Sequence, residues 1–296
     1  MRVRGVLKGV TVVVSAGALI AFGAAAASAA VPSSQVVNVV GNGSAVHLSK
    51  TTVHAGTVQF NVSTTVPAST GSGSEITIFK PKGGATAATV LADLKDEFTQ
   101  YPSIAAKGTR ELVRDAGFYG LADPVQGTPF TVTEKLAAGT YYLLDAGLQP
   151  PTKPSDLTTL TVTPAYVTDA QPAVASQFTV QMTSADTFVT PRNWQHRGTV
   201  TVANVSDTIH FLNLVPVKAG TTDKQVQQYF DSGAQGPPSF ATGGSSGGSD
   251  VQSPGTSLQL TYDLPAGTYV LLCFVADDQT GMPHALMGMH KVVVLH

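Results

Sequence analysis

The sequence has 296 residues, 43% of them hydrophobic and only 12% charged, with a formal net charge of −2. Such a balance offers no clustered Lys/Arg field for nucleic acid or anionic lipid, and a single cysteine excludes an intrachain disulfide framework. Abundant Thr, Val, Gly, Ala and Ser favour β-structure over long helices.

The chain opens with Arg2, Arg4 and Lys8, an apolar run from Val10 to Phe22, and the small-residue stretch "GAAAASAAV". This is the pattern of a cleavable secretory signal peptide, with processing expected near Ala29 or Ala30. The apolar run is shorter than the roughly 20 residues of a membrane span. Segment 1–30 is therefore assigned to the signal, and the remainder is expected to be secreted, extracellular and without a membrane span. Losing three of 17 basic residues leaves 14 against 19 acidic ones, a charge of −5.

Next come alternating segments such as "TVQFNV" (57–62), which read as half-buried strands. "ATAATVLADLKDEF" predicts one short helix with Val90, Leu91, Leu94 and Phe98 on its packed side. The insertion "QYPSIAAKGTRELVRDAGFYGLADP" (100–124) follows. The segment "GTPFTVTEKLAAGTYYLLD" (127–145) then aligns without gaps on "GTSLQLTYDLPAGTYVLLC" (255–273), an offset of 128 with ten identities. "HAGTVQFNVST" from His54 matches "HRGTVTVANVS" from His196. The reading is a tandem duplication, with one unit over 31–165, a join near Pro164 to Pro172, and a second unit over 172–296. The second unit carries its own short helix in "TTDKQVQQYF", and Ser232 to Gly255, rich in Gly and Ser, reads as a mobile loop.

The last third holds the residues with chemistry. Strand "TYVLLCFV" places Tyr269, Leu271, Cys273 and Val275 on one face, and "PHALMGMH" follows with a His-x4-Met pair, His284 and Met289. An exported lone thiol is buried, metal-bound or joined to another chain. Read alone, Cys273 is compatible with a small buried hydrophobe, His210 with a core histidine and His284 with a loop histidine. His54 and His196 occupy equivalent places in both units and read as structural. Met282, Met287, Met289 and His290 read either as packing or as a soft cluster for Cu(I).

The run "AGTV-strand-N", then a histidine, then "PAGTYVLLC" and "PHALMGMHKVVVL" resembles the cupredoxins, the blue copper proteins of the plastocyanin and pseudoazurin kind. The resemblance covers about 187–296 and, through the repeat, about 37–164. It implies an all-β fold of two tandem cupredoxin-like Greek-key β-sandwiches, each with a short crossover helix. It also implies one copper ion held by His210, Cys273, His284 and, axially, Met289. Cupredoxins place two to four residues between cysteine and second histidine, whereas ten stand here, "FVADDQTGMP". "ADDQTG" is expected to turn, and Pro283 to direct His284 back. The first unit carries Asp145 opposite Cys273, and Ser74 or Glu75 opposite His210. It has no such ligand set.

The implied function is electron transfer or copper carriage by the second unit, with an unidentified redox or copper-delivery partner protein and no nucleic acid. No catalytic role is expected: the His-x-His pairs of multicopper oxidases and a phosphate loop are missing from the sequence. The alternative is a metal-free secreted β-sandwich that binds a protein or glycan through the Gly/Ser segment and the 100–124 insertion.

Overall fold

A computed structural model describes residues 35–70, 73–164, 175–234, 236–244 and 246–296. The expected signal segment and most of the join between units lie outside them. The first half holds β1 (Val36–Gly41), β2 (Val46–Leu48), β3 (Thr52–His54), β4 (Gly56–Thr64), β5 (Ile76–Pro81), α1 (Ala87–Glu97) and α2 (Pro102–Asp115). It continues with β6 (Ala116–Ala122), β7 (Phe130–Leu136), β8 (Gly139–Asp145) and β9 (Thr158–Thr163). The second half holds β10 (Thr179–Thr183), β11 (Thr187–Val189), β12 (Arg197–Asn204), β13 (His210–Val217) and α3 (Asp223–Asp231). β14 (Gly247–Gln252), β15 (Ser257–Asp263), β16 (Gly267–Leu272) and β17 (His290–Leu295) complete it.

The strands form two mixed sheets, ordered β11-β10-β12-β15-β7-β4-β1-β2 and β17-β16-β13-β14-β6-β5-β8-β9-β3. The fold is an all-β sandwich in which each sheet runs through both halves. Equivalent strands pair in equivalent ways. β1 lies parallel to β4 and antiparallel to β2, and β10 lies parallel to β12 and antiparallel to β11. At the centre β7 pairs antiparallel with β15, matching Val132 to Leu260, and β6 meets β14 at Tyr119 and Gln252.

Period-two patterning fixes which faces turn inward. Val58, Phe60 and Val62 of β4 and Val200 and Val202 of β12 are buried, as are Phe130 and Val132 of β7 and Leu258 and Leu260 of β15. All belong to one hydrophobic cluster that spans both halves. Burying each such Val, Leu or Phe is worth about 1.5–3 kcal/mol, so the continuous core couples the halves energetically. Tyr269, Leu271, Cys273 and Val275 join that cluster, on one face as their alternation requires.

Three local expectations are corrected. The first half carries two helices where one was expected, because the insertion is amphipathic: Ala105, Ala106, Thr109 and Leu112 are buried on one side of α2, and Pro102 opens it at the first turn. Phe98, expected on the packed side, is the C-cap of α1 and is 57% exposed. The end of the Gly/Ser segment is β14, mostly buried between β13 and β6. Its residues lack an apolar pattern because this strand is read by backbone approach: a Cβ at Gly247 would crowd Phe130 and the Asp123 carbonyl.

Candidate metal centre

Three candidate donors converge at one end of the second half, with Met289 close by in the chain. His210 begins β13, Cys273 follows the last residue of β16, His284 opens a 3-10 turn (His284–Met287), and Met289 immediately precedes β17. Their exposures are 0%, 0%, 1% and 0%. Cys273 Sγ lies 3.7 Å from His210 Nδ1 and 3.7 Å from His284 Nδ1. The ring centroids are 4.7 Å apart at 54°. One donor atom from each of the three lies within 4.8 Å of the others.

Asn204 sets the approach of His210. Its Nδ2 donates to the carbonyls of Thr208 and Gln252, both at 2.8 Å, while its Oδ1 accepts from Ser206 N and Oγ. The chain from β12 to β13 is thereby tied to the sheet.

The ten residues between Cys273 and His284 fold as a small hairpin. Ala276 bridges Pro283, Asp277 N donates to Met282 O at 2.8 Å, and Asp277 Oδ1 accepts from Gln279 N, Thr280 N and Thr280 Oγ1. This is an Asx-type turn, the device that "ADDQTG" suggests in sequence. His284 N then donates to Val275 O at 2.9 Å, Ala285 N to Cys273 O at 2.7 Å and Met289 N to His284 O at 2.9 Å. The turn returns His284 to the cysteine across the long separation.

Burial dominates the electrostatics. It pushes the Cys273 thiol up to about 12; the Phe211 and Val275 amides pull it down, and the charges of Glu97 and Asp186 push it further up. Desolvation and the His284 charge press His210 down to about 3. His284 is also lowered by desolvation, against the opposing pull of Asp186, Asp277 and Asp278. Without a bound cation the site is thus a neutral thiol facing two neutral imidazoles. Neutral imidazoles are the form that ligates a metal, and a metal is what would release the thiol proton.

The donor set passes a simple test of fit. A trigonal centre with bonds of about 2.3 Å to sulfur and about 2.0 Å to nitrogen, the lengths of a first-row divalent ion, separates these donors by about 3.7 Å. Both nitrogen-sulfur separations have that value. The opposite ring nitrogens face a side chain that the sequence did not single out: Asp186 Oδ1 lies 3.9 Å from Nε2 of both histidines. Asp186 sits in the β10–β11 turn at φ +50°, and His210 Nε2 has no hydrogen-bond partner among the described residues.

The remaining candidates separate from this centre. Met282 and Met287 are 44% and 42% exposed, and His290 Nε2 contacts Gln227 Oε1 at 2.8 Å. Met287 lies in the 3-10 turn and not on a strand beside Met289. His54 Nδ1 contacts Thr163 Oγ1 and His196 Nδ1 contacts Leu264 O, contacts that tie down strand ends. Asp145 is fully buried, yet its surroundings are not apolar: it accepts from Gly43 N, Glu75 N and Gly147 N. Among the described residues no helix is long and apolar enough to cross a membrane.

No protein-family model and no curated protein matches the sequence. Among solved structures, the chain is similar to dithionite-reduced auracyanin from Roseiflexus castenholzii, at 18% identity and a TM-score of 0.25, over 42% of this chain and 99% of that one. It is similar to auracyanin A, a "blue" copper protein from Chloroflexus aurantiacus, at 16% identity and a TM-score of 0.23, over 40% and 98%. It is also similar to the copper nitrite reductase of Nitrosomonas europaea, at 11% identity and a TM-score of 0.23, over 88% and 93%.

Proposed function

We propose that the chain is a secreted, copper-binding cupredoxin-like protein made of two tandem units, 31–165 and 172–296. Its second unit would hold one copper ion through His210, Cys273, His284 and Met289. The observation that carries this reading is the pair of equal 3.7 Å separations from Cys273 Sγ to two inward-turned Nδ1 atoms. Bound there, a thiolate-ligated copper supplies one-electron chemistry. The chain's own residues exclude water, keep both imidazoles neutral and fix their ring directions. Ligands with at most 1% exposure favour passing an electron over handing on the ion, since release needs the cage to open. Electron transfer to a partner protein is therefore the first function to test, copper carriage the second.

The metal-free binding-module reading loses part of its proposed surface, because the insertion is folded into α2 and β6, and β14 lies inside a sheet. A copper titration followed by visible absorption and electron paramagnetic resonance decides between the two. The expected result is one ion per chain and an intense sulfur-to-copper band that Cys273→Ser abolishes. A wild-type protein that takes up no stoichiometric copper overturns the proposal.

A further inference from the structure

We propose that the α1–α2 hairpin of the first half is part of the frame of the metal centre, with Glu97 and Thr109 as positioning residues for the segment that brings His284 to Cys273. The inference rests on the copper reading for its purpose, though its geometry stands on its own.

The segment 274–283 bridges two candidate ligands only 284 − 273 = 11 positions apart, and its internal bonds lie within 276–283, chiefly in the turn at 277–282. Ordering a loop of this size costs backbone entropy at every residue, so an external brace has a large effect on where His284 sits. The first half supplies that brace at one peptide position. Glu97 Oε1 accepts from Ala276 N at 3.0 Å, and Thr109 Oγ1 donates to Ala276 O at 2.8 Å. Both backbone polar groups of Ala276 are thus satisfied from residues 179 and 167 positions away. Thr109 is fully buried and Glu97 is 9% exposed, so no solvent competes for either bond.

Ala276 is well placed to transmit the constraint. It pairs with Pro283, the residue before His284, and adjoins Val275, whose carbonyl accepts the His284 N–H. Holding Ala276 therefore fixes the entry to one ligand and the exit from the other. Two further contacts fasten the far side: the Arg110 guanidinium donates to the Asp278 carbonyl, and Gly281, at φ +70°, lies against the Pro102 carbonyl where a Cβ would collide. Within the hairpin, Gly108 lets α2 approach α1 so closely that a Cβ there would strike the Glu97 backbone. Among the described residues the second half has no helix equivalent to α2, so the loop that departs most from the cupredoxin pattern is braced by an element of the first half.

Thr109→Val removes the hydroxyl while keeping the shape, and Thr109→Ser restores it; Glu97→Leu and Glu97→Gln form the matching pair, since the Gln carbonyl still accepts. Two readouts apply to each full-length variant. In the metal-free protein, Cys273 labelling by a small aromatic disulfide under native conditions should accelerate at least tenfold in Thr109→Val and return to the wild-type rate in Thr109→Ser, with the urea midpoint held as the control for global unfolding. In the copper-loaded protein, Thr109→Val should alter the sulfur-to-copper band and the paramagnetic spectrum and shed copper to a chelator at least tenfold faster. Unchanged labelling and an unchanged spectrum in both Thr109→Val and Glu97→Leu overturn the inference. Accelerated labelling in a protein whose wild type binds no copper sinks the copper reading and leaves the brace standing.

Discussion

The two halves place different chemistry at the same strand end. Asp145 is the last residue of β8 in the first half, and Cys273 directly follows β16 in the second; both are fully buried. Asp145 is surrounded by donors, taking the amides of Gly43, Glu75 and Gly147 at 2.7, 3.1 and 3.1 Å, so its carboxyl serves as a backbone cap. Cys273 instead faces two imidazole nitrogens, each 3.7 Å from its sulfur. A buried carboxyl whose oxygens already accept three amides has no lone pair turned to a metal. A thiol beside two imidazoles has the donor types of a metal site.

The largest effect expected from breaking this contrast is at Asp145. Removing a carboxylate that accepts three buried amide bonds strands those donors, and Asp145→Ala should cost about 3–5 kcal/mol in urea denaturation. Cys273→Ala in the metal-free protein leaves only a small void and should cost about 1 kcal/mol. Equal losses would mean that the two positions do the same structural work.

A proton count sharpens the comparison next. With the Cys273 thiol at about 12 and His210 at about 3, metal uptake between pH 5 and 8 displaces the thiol proton and none from His210. Apparent copper affinity should then rise about tenfold per pH unit, or about 1.4 kcal/mol, in a competition titration. A pH-independent affinity would show that the thiol is not a ligand.

The smallest effect concerns stability without metal. Glu75 and Glu97 are raised to about 7 by desolvation, and Asp123, Glu134 and Asp250 are raised chiefly by burial as well. Each holds its proton in the folded chain above the pH at which the unfolded chain releases it, so each costs stability as pH rises from about 4.5. The depressed imidazoles His210, His284 and His290 act the other way, costing stability as pH falls below about 6.5, where only the unfolded chain takes up protons. Between pH 6.5 and 8 the carboxyls act alone. The urea midpoint should decline over that interval, less steeply in Glu134→Gln, whose Oε2 has no hydrogen-bond partner among the described residues. A flat profile in wild type would remove the argument.

The strands were legible because alternation and turn residues are local signals: β4, β7, β12 and β15 fall where the period of two places them. Three of the four proposed ligands gather: His210 begins β13 and Cys273 follows β16, where the core fixes register, and His284 is returned to them by the hairpin over 274–283. Asp186, Glu97 and Thr109 were not legible. They act on the centre from distant positions through tertiary packing, and no spacing in the chain announces such a contact. β14 was missed because its glycines signal flexibility to a linear reading, whereas the folded chain uses them for close backbone approach.

One ladder described above has a consequence for assembly. Val132 faces Leu260 across β7 and β15, and 260 − 132 = 128 is also the offset at which the two segments align. The pairing of 131–133 with 259–261 is symmetric about that position, the register expected of a two-fold contact between like strands. Each half thereby covers the edge strand its counterpart would otherwise expose to foreign chains. The effective concentration conferred by the shared backbone makes this closure intramolecular, and a half expressed alone would have to find the same partner in solution, in another copy of itself.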